Sequence, residues 1–327
     1  MSDQILRWGF LSTAKINHAL ISPLRVSKRN QLVAIASRSD EKAKAYAKKW
    51  EIPRAYGSYE ALLADPEIDV IYNSLPNHLH ADWTIKALKA GKHVLCEKPL
   101  GLTASDVDKM FATAKESGRV LTEAFMYRHH PQTLKVKEIV ESGVLGKLRF
   151  LRGSFTFTLN REGNYRFSKD MGGGSIWDVG CYPISYTRML LGTSPVEVFG
   201  WQVSGQEGID QSFVGQMRFP EGILAQFDSG FQSPFRTEME IIGSLGTLFI
   251  PNPFRPGKNE EILLKKNDKV EKIKIRGQEL YLGEVEDMAD AILLGKAPRV
   301  SLEDSRENAR TIQALLESAK RGKVITL

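Results

Sequence analysis

Over its first 124 residues the chain alternates short apolar runs with amphipathic stretches of helical spacing, and this alternation narrows the fold more than any other property. Strand-type runs occupy 5–11, 32–37, 70–75, 93–96 and 120–123, and helix-type stretches occupy 14–21, 40–50, 59–64, 81–90 and 105–117. Strands separated by helices predict a parallel sheet with right-handed crossovers, the doubly wound arrangement. After residue 125 the pattern changes. Helical stretches at 134–141 and 175–191 flank β-type runs at 148–157, 196–203, 212–219, 223–231, 238–242, 247–250, 262–265 and 270–275. Short turns such as Pro220-Glu221-Gly222 and Asn267-Asp268 predict antiparallel neighbours. Helices at 284–294 and 302–320 finish the chain. The expected class is α/β plus α+β: a doubly wound parallel sheet in 1–124, then a large, open-faced, mainly antiparallel sheet in 125–327.

At 327 residues the chain is long enough for two cores. Hydrophobic content of 42% and charged content of 26% are those of a soluble globular protein. A net charge of +6, spread along the chain, gives no nucleic-acid arm. The start is polar through Gln4 and then enters a strand, so neither a signal peptide nor a membrane partner is expected. Cys96 and Cys181 form no disulfide framework and no metal-ligand spacing, which points to a reducing, cytoplasmic setting and no metal.

The first strand-to-helix turn, Ser12-Thr13-Ala14-Lys15-Ile16-Asn17, stands where a dinucleotide fold binds pyrophosphate on a helix N-terminus. The three glycines of the usual fingerprint are replaced by Ser12, Ala14 and Asn17, of which Ser12 and Ala14 are still small. At the end of the second strand, Ser37 and Arg38 occupy the place of the acidic residue that grips a ribose 2′-hydroxyl, with Lys42 a turn later. A hydroxyl beside a guanidinium suits a 2′-phosphate, so NADP is expected over NAD. Leu75-Pro76-Asn77 and His80 follow the third long strand at the same sheet edge. Asn77 or His80 is expected on the ribose or nicotinamide, or else Asn77 caps the next helix.

Glu97-Lys98-Pro99 closes the strand at 93–96 and sets an ammonium at the carboxyl edge of the sheet, where open α/β sheets bind ligands. A cation there can hold the oxygen of a C–O carbon undergoing hydride transfer. Gly172-Gly173-Gly174 then leads into a helix in which Asp178 and Tyr182, four apart, share a face. The three glycines are expected to let the backbone approach a ligand closely. Lys98, Asp178 and Tyr182 make a proton-handling set, with Lys98 lowering the phenol's pKa. The alternative is an Asp178 that only answers the helix dipole and a Tyr182 that only fills the core.

With Pro76-Asn77-His78-Leu79-His80, Glu97-Lys98-Pro99, the run from Glu123 to Arg128, and the glycine tract through Asp178-Val179-Gly180-Cys181-Tyr182, the chain resembles the Gfo/Idh/MocA oxidoreductases over essentially its whole length. The family takes its name from glucose–fructose oxidoreductase, inositol dehydrogenase and a rhizopine-catabolism protein. That resemblance implies a Rossmann domain, a C-terminal sheet used for homodimer or homotetramer contacts, and a sugar or polyol substrate, with Lys98 central. It implies Glu97, Lys98, Arg128 and Tyr281 on the cofactor side and Tyr165 and Arg166 near the substrate. Many members carry histidine where this chain has Tyr182; tyrosine resembles the branch of NADP-dependent D-xylose dehydrogenases and dimeric dihydrodiol dehydrogenases.

The expected activity is NADP-dependent hydride transfer at a CH–OH or C=O carbon of a sugar or polyol. Two other classes stay open: a glycosidase that uses the dinucleotide transiently, and a dinucleotide-sensing regulator without turnover. The substrate itself depends on loops such as 158–169 and 232–236, which no pattern places.

Overall fold

The computed structural model describes residues 4–160 and 163–327. Residues 1–3 of the polar start, and Arg161 and Glu162 of the 158–169 loop, lie outside the described residues. The chain divides into two units, Met1–His129 with Glu279–Arg306, and His130–Gln278 with Glu307–Leu327. Beyond the expected boundary at 124, residues 125–129 and 279–306 cluster with the first unit.

The first unit is built from β1 (Leu6–Leu11), α1 (His18–Val26), β2 (Asn30–Ala36), α2 (Asp40–Trp50), β3 (Arg54–Tyr56), α3 (Tyr59–Ala64), β4 (Val70–Asn73), α4 (His80–Lys89), β5 (His93–Glu97), α5 (Ala104–Ser117) and β6 (Leu121–Ala124). Its six strands are all parallel, in the order β3-β2-β1-β4-β5-β6. The order reverses between β1 and β4, which marks the switch point of a doubly wound sheet. Capping residues set several helix starts. Ser39, Ser58 and Thr103 each accept a main-chain N–H three residues on, through the side chain. The three-residue β3 is too short to show a period and was not expected.

The second unit contains α6 (Pro131–Glu141), β7 (Leu148–Thr156), α7 (Cys181–Leu191) and then β8 (Glu197–Ser204), β9 (Asp210–Arg218), β10 (Leu224–Gly230), β11 (Arg236–Gly243), β12 (Thr247–Ile250), β13 (Asn259–Lys266) and β14 (Lys269–Arg276). The chain ends with α8 (Leu282–Leu294), α9 (Leu302–Arg321) and β15 (Ile325–Thr326). The nine strands run β14-β13-β12-β11-β7-β10-β9-β8-β15. Neighbours are antiparallel except β7 and β10, which are parallel because the β8-β9-β10 meander docks on β7 by its last strand. Asn267 and Asp268 both adopt positive φ (48° and 58°), the primed turn that matches the twist of the β13–β14 hairpin.

Strand alternation decides which face of this sheet is covered. Phe155, Phe213, Phe219, Phe227 and Phe231 are buried within the unit, with the Phe213 and Phe227 rings stacked. They belong to the chain's own core, so they are not an apolar face left for a partner. The opposite face carries exposed Trp201, Val203, Val214 and Leu224.

In the first unit, α8 completes the core. Val285, Met288 and Ala289 are fully buried with Trp8, Phe10, Leu24 and Tyr72. Arg29 bonds Glu286 at 2.5 Å and Asp290 at 2.6 Å. Burying Val285 and Met288 alone stabilises by about 3–6 kcal/mol, which explains why this late helix belongs to the nucleotide-type unit.

Candidate active site

The turn after β1 keeps the shape of the fingerprint without its glycines. Ser12 has φ 88°, a left-handed conformation that glycine adopts at no cost and other residues adopt at about 1–3 kcal/mol. Hydrogen bonds offset that strain. The Ser12 Oγ accepts from Ala14 N–H at 3.2 Å and lies 3.1 Å from Ser74 Oγ, while Asn17 Nδ2 donates to Ser12 O at 2.7 Å. Thr13, Ala14 and Ile16 are half-buried and Lys15 is exposed along this turn, where a short 3₁₀ segment (Lys15–Asn17) leads into α1.

At the end of β2, buried Ser37 accepts the Ser39 N–H, and Ser39 accepts the N–H of Lys42, whose side chain is exposed. Arg38 is exposed beside Tyr59. Burial pushes that phenol's pKa up, and the hydrogen bond and charge of Arg38 pull it down. The nearest acid of this segment in sequence, Asp40, is paired with Lys44 at 2.6 Å. A small-residue turn before a helical start, with an exposed guanidinium at the end of β2, fits a dinucleotide carrying a 2′-phosphate.

Lys98 follows β5 and is half-buried. The main chain around it is fastened by buried side chains. Glu97 Oε2 accepts the Lys98 N–H at 3.2 Å, and Glu123 Oε1 accepts the Leu100 N–H at 2.8 Å. His80 Nδ1 lies 2.7 Å from Pro99 O, and its Nε2 lies 2.7 Å from Leu75 O. Both ring nitrogens of His80 thus face the protein's own main chain, and the ring links two loops instead of offering a nitrogen to a ligand. Asn77 is buried in a 3₁₀ turn and does not cap α4, whose N-terminal cap residue is Leu79 with no side-chain bond. Pro76 is half-buried between them.

Several buried groups here were not foreseen. Tyr72 donates to Glu97 Oε1 at 2.5 Å, and burial followed by the Glu97 charge raises its pKa far above the usual phenol value. Glu284, 1% exposed, has no hydrogen-bond partner for either carboxyl oxygen among the described residues. Burial, then the charges of Glu97 and Asp287, raise its pKa well above the usual carboxyl value. Half-buried Tyr281, one turn earlier, adds to the field on Tyr72. Glu123 is pushed up to about 7 by burial, against hydrogen bonds from Ser305 and the Leu100 N–H. Arg128 is buried and paired with Asp304 at 2.7 Å. Acidic residues at strand ends were the available sequence signal for Glu123, whereas Tyr72 and Glu284 look like ordinary members of a strand and a helix.

In the second unit, Asp178, Arg166, Tyr165 and Tyr182 come together. Asp178 lies in a π-helical turn (Ile176–Gly180) that runs into α7, so its expected α-helical start is wider by one residue per hydrogen bond. Arg166 Nε donates to Asp178 Oδ2 at 2.7 Å, and its guanidinium lies 4.9 Å from the Tyr165 ring centroid. Burial opposes the Arg166 charge, but Asp178, Tyr165 and Tyr182 together hold its pKa above the usual value. Tyr182 is 5% exposed, with its ring edge-on to Phe155 and tilted against Phe254.

Gly173 and Gly174 make room for the chain itself, where the sequence suggested close approach of a ligand. A Cβ at Gly173 would collide with Arg166 O, and one at Gly174 (φ 121°) with Asp210 Oδ1. The tract lets the Tyr165–Phe167 turn and Asp210 press onto the start of the π turn. Asp210 Oδ2 accepts from Ser175 Oγ at 2.6 Å and from the Ile176 N–H at 2.8 Å. Burial pushes Asp210 up to about 6, against these bonds. Among the described residues no three His, Cys, Asp or Glu side chains gather as metal ligands.

Comparison with known proteins agrees with this architecture. Residues 6–125 match the oxidoreductase family with an NAD-binding Rossmann fold, and residues 133–249 match the GFO/IDH/MocA C-terminal domain. D-xylose 1-dehydrogenase (NADP(+)) 2 of Haloferax volcanii is 37% identical, covering 98% of this chain and 100% of the relative. The 3-ketoreductase KijD10 of Actinomadura kijaniata, solved with NADP and TDP-benzene, superposes with a TM-score of 0.91 at 30% identity, covering 96% of this chain and 98% of that one. Aldose-aldose oxidoreductase of Caulobacter crescentus superposes at 0.92 with 26% identity, covering 99% of this chain and 100% of that one. The chain is an enzyme of the oxidoreductase class and belongs to the GFO/IDH/MocA family.

Proposed function

We propose that this protein is an NADP-dependent oxidoreductase acting on a CH–OH or C=O carbon of a sugar or related polyol. The observation that carries the reading is the Lys98 turn: an ammonium at the carboxyl end of a parallel strand, its main chain held by Glu97 and Glu123. When bound, the nicotinamide accepts or returns a hydride. Lys98 holds the substrate oxygen and stabilises the charge that develops on it as the carbon is oxidised. Tyr182 takes the hydroxyl proton in that direction and returns it in the other. Asp178, held in place by Arg166, orients a substrate hydroxyl; Tyr165 and Arg166 line the same end of the substrate. Arg38, Ser37 and Lys42 receive the 2′-phosphate, and residues 12–16 with Leu75, Pro76, Asn77 and Tyr281 bound the rest of the cofactor.

A homodimer or homotetramer formed through the exposed face of the nine-stranded sheet belongs to the same reading, as does a cytoplasmic setting, which suits two buried free thiols. No helix among the described residues is long and apolar enough to cross a membrane.

The test is a spectrophotometric screen of aldoses and polyols with NADP and NAD, repeated with Lys98→Ala. Turnover is expected with NADP, and Lys98→Ala should lower kcat by about 10²–10⁴-fold while the NADPH dissociation constant stays nearly unchanged. Wild-type rates in Lys98→Ala would remove Lys98 from the chemistry.

A further inference from the structure

A lysine ammonium can act on one substrate oxygen only if the main chain beneath its four-carbon stem is fixed. Here three successive residues are fastened by side chains from three elements of the first unit. The Lys98 N–H goes to Glu97, Pro99 O faces His80, and the Leu100 N–H goes to Glu123. His80 and Glu123 are 1% and 2% exposed, so water does not compete for these bonds. His80 is itself anchored: its main-chain carbonyl accepts from Asn73 Nδ2 at 3.1 Å, and its second ring nitrogen faces Leu75 O at 2.7 Å. The ring therefore lies between the turn after β4 and the turn after β5, the two loops flanking the sheet edge next to the switch point; burial lowers its pKa to about 4, so the neutral ring carries one N–H, which donates to Pro99 O in the Nδ1–H tautomer. Leu75 and Pro99 lie 24 residues apart in sequence, so the ring joins segments that are distant along the chain.

Resting on the reading of Lys98 as the group that holds the substrate oxygen, we propose that His80 is a positioning residue for Lys98. It acts through Pro99 O and fixes the Lys98 backbone against the Leu75–Asn77 loop. Glu123 braces the same turn from the other side through the Leu100 N–H. Neither side chain touches substrate or cofactor. A displacement of about 1 Å at a reacting group lowers a rate by as much as ~10²-fold, so loosening the turn reads out mainly in kcat.

The experiment is a double-mutant cycle of His80→Gln and Lys98→Ala in the full chain, with NADPH affinity measured separately by quenching of tryptophan fluorescence. His80→Gln is expected to lower kcat about 10–100-fold. It should move the NADPH dissociation constant less than about twofold, and cost nothing further in the Lys98→Ala background. Losses that multiply, or an NADPH affinity that falls as much as kcat, would overturn the proposal. A fast Lys98→Ala single variant would instead overturn the reading of Lys98, and the positioning role with it. Should His80→Gln not fold, Glu123 answers the same question. Glu123→Gln keeps an acceptor for the Leu100 N–H and should retain most of the rate, whereas Glu123→Ala should lose it; equal rates in the two would sink the proposal.

Discussion

Ser12 shows how a site residue can be half legible. The loss of the fingerprint glycines is plain in the sequence, yet the turn keeps a glycine-like φ because the serine hydroxyl bonds Ala14 N–H and Ser74. Ser74 is 62 residues away, beyond the reach of any local pattern. Arg38 is the opposite case, since its proposed role rests on which residue type is missing at the end of β2. Arg38→Ala is expected to weaken NADP binding about 10–100-fold, the worth of a charge-assisted phosphate contact, and to leave NAD binding nearly unchanged. Titration calorimetry with both dinucleotides measures this, and equal losses for the two would detach Arg38 from the 2′-phosphate.

At the scale of elements, most helices and strands of the first 124 residues were readable because they obey one period, the three-residue β3 being too short to show one. The start of α7 was not. The sequence offers a glycine tract and a helix, and the structure makes a π turn pinned by Asp210, a residue just outside the β-type run at 212–219 that no local pattern marks. Asp210→Ala leaves a buried N–H and a buried hydroxyl to find other partners, and should cost about 2–3 kcal/mol of stability in urea unfolding. The same carboxyl gives a pH dependence of definite sign. Its folded pKa, about 6, lies above the unfolded value, so its contribution is fullest below about pH 4 and is lost as pH rises through about 6. Asp210→Asn should abolish that part of the pH dependence, and an unchanged slope of stability between pH 4 and 6 would contradict it.

For the whole molecule, the breadth of the second sheet was legible as a series of β-type runs. Which of its faces stays open was not, because only the folded chain shows that Phe155, Phe213, Phe219, Phe227 and Phe231 fill its own core. The other face carries Trp201, Val203, Val214 and Leu224. Trp201→Glu is expected to lower the mass seen by light scattering to that of one chain, with secondary structure intact; an unaltered mass would take this face out of the assembly. The grouping of residues 279–306 with the first unit was not legible for a related reason, since a helix that returns to an earlier unit carries no mark of its destination in its own residues.

That return of Leu282–Leu294 has a consequence for biosynthesis. A ribosome releases the six-stranded half first, but Val285, Met288 and Ala289, which close its interior, emerge more than 150 residues afterwards. The nascent half must wait with an uncovered hydrophobic flank, and a fragment ending at His129 would inherit that flank permanently.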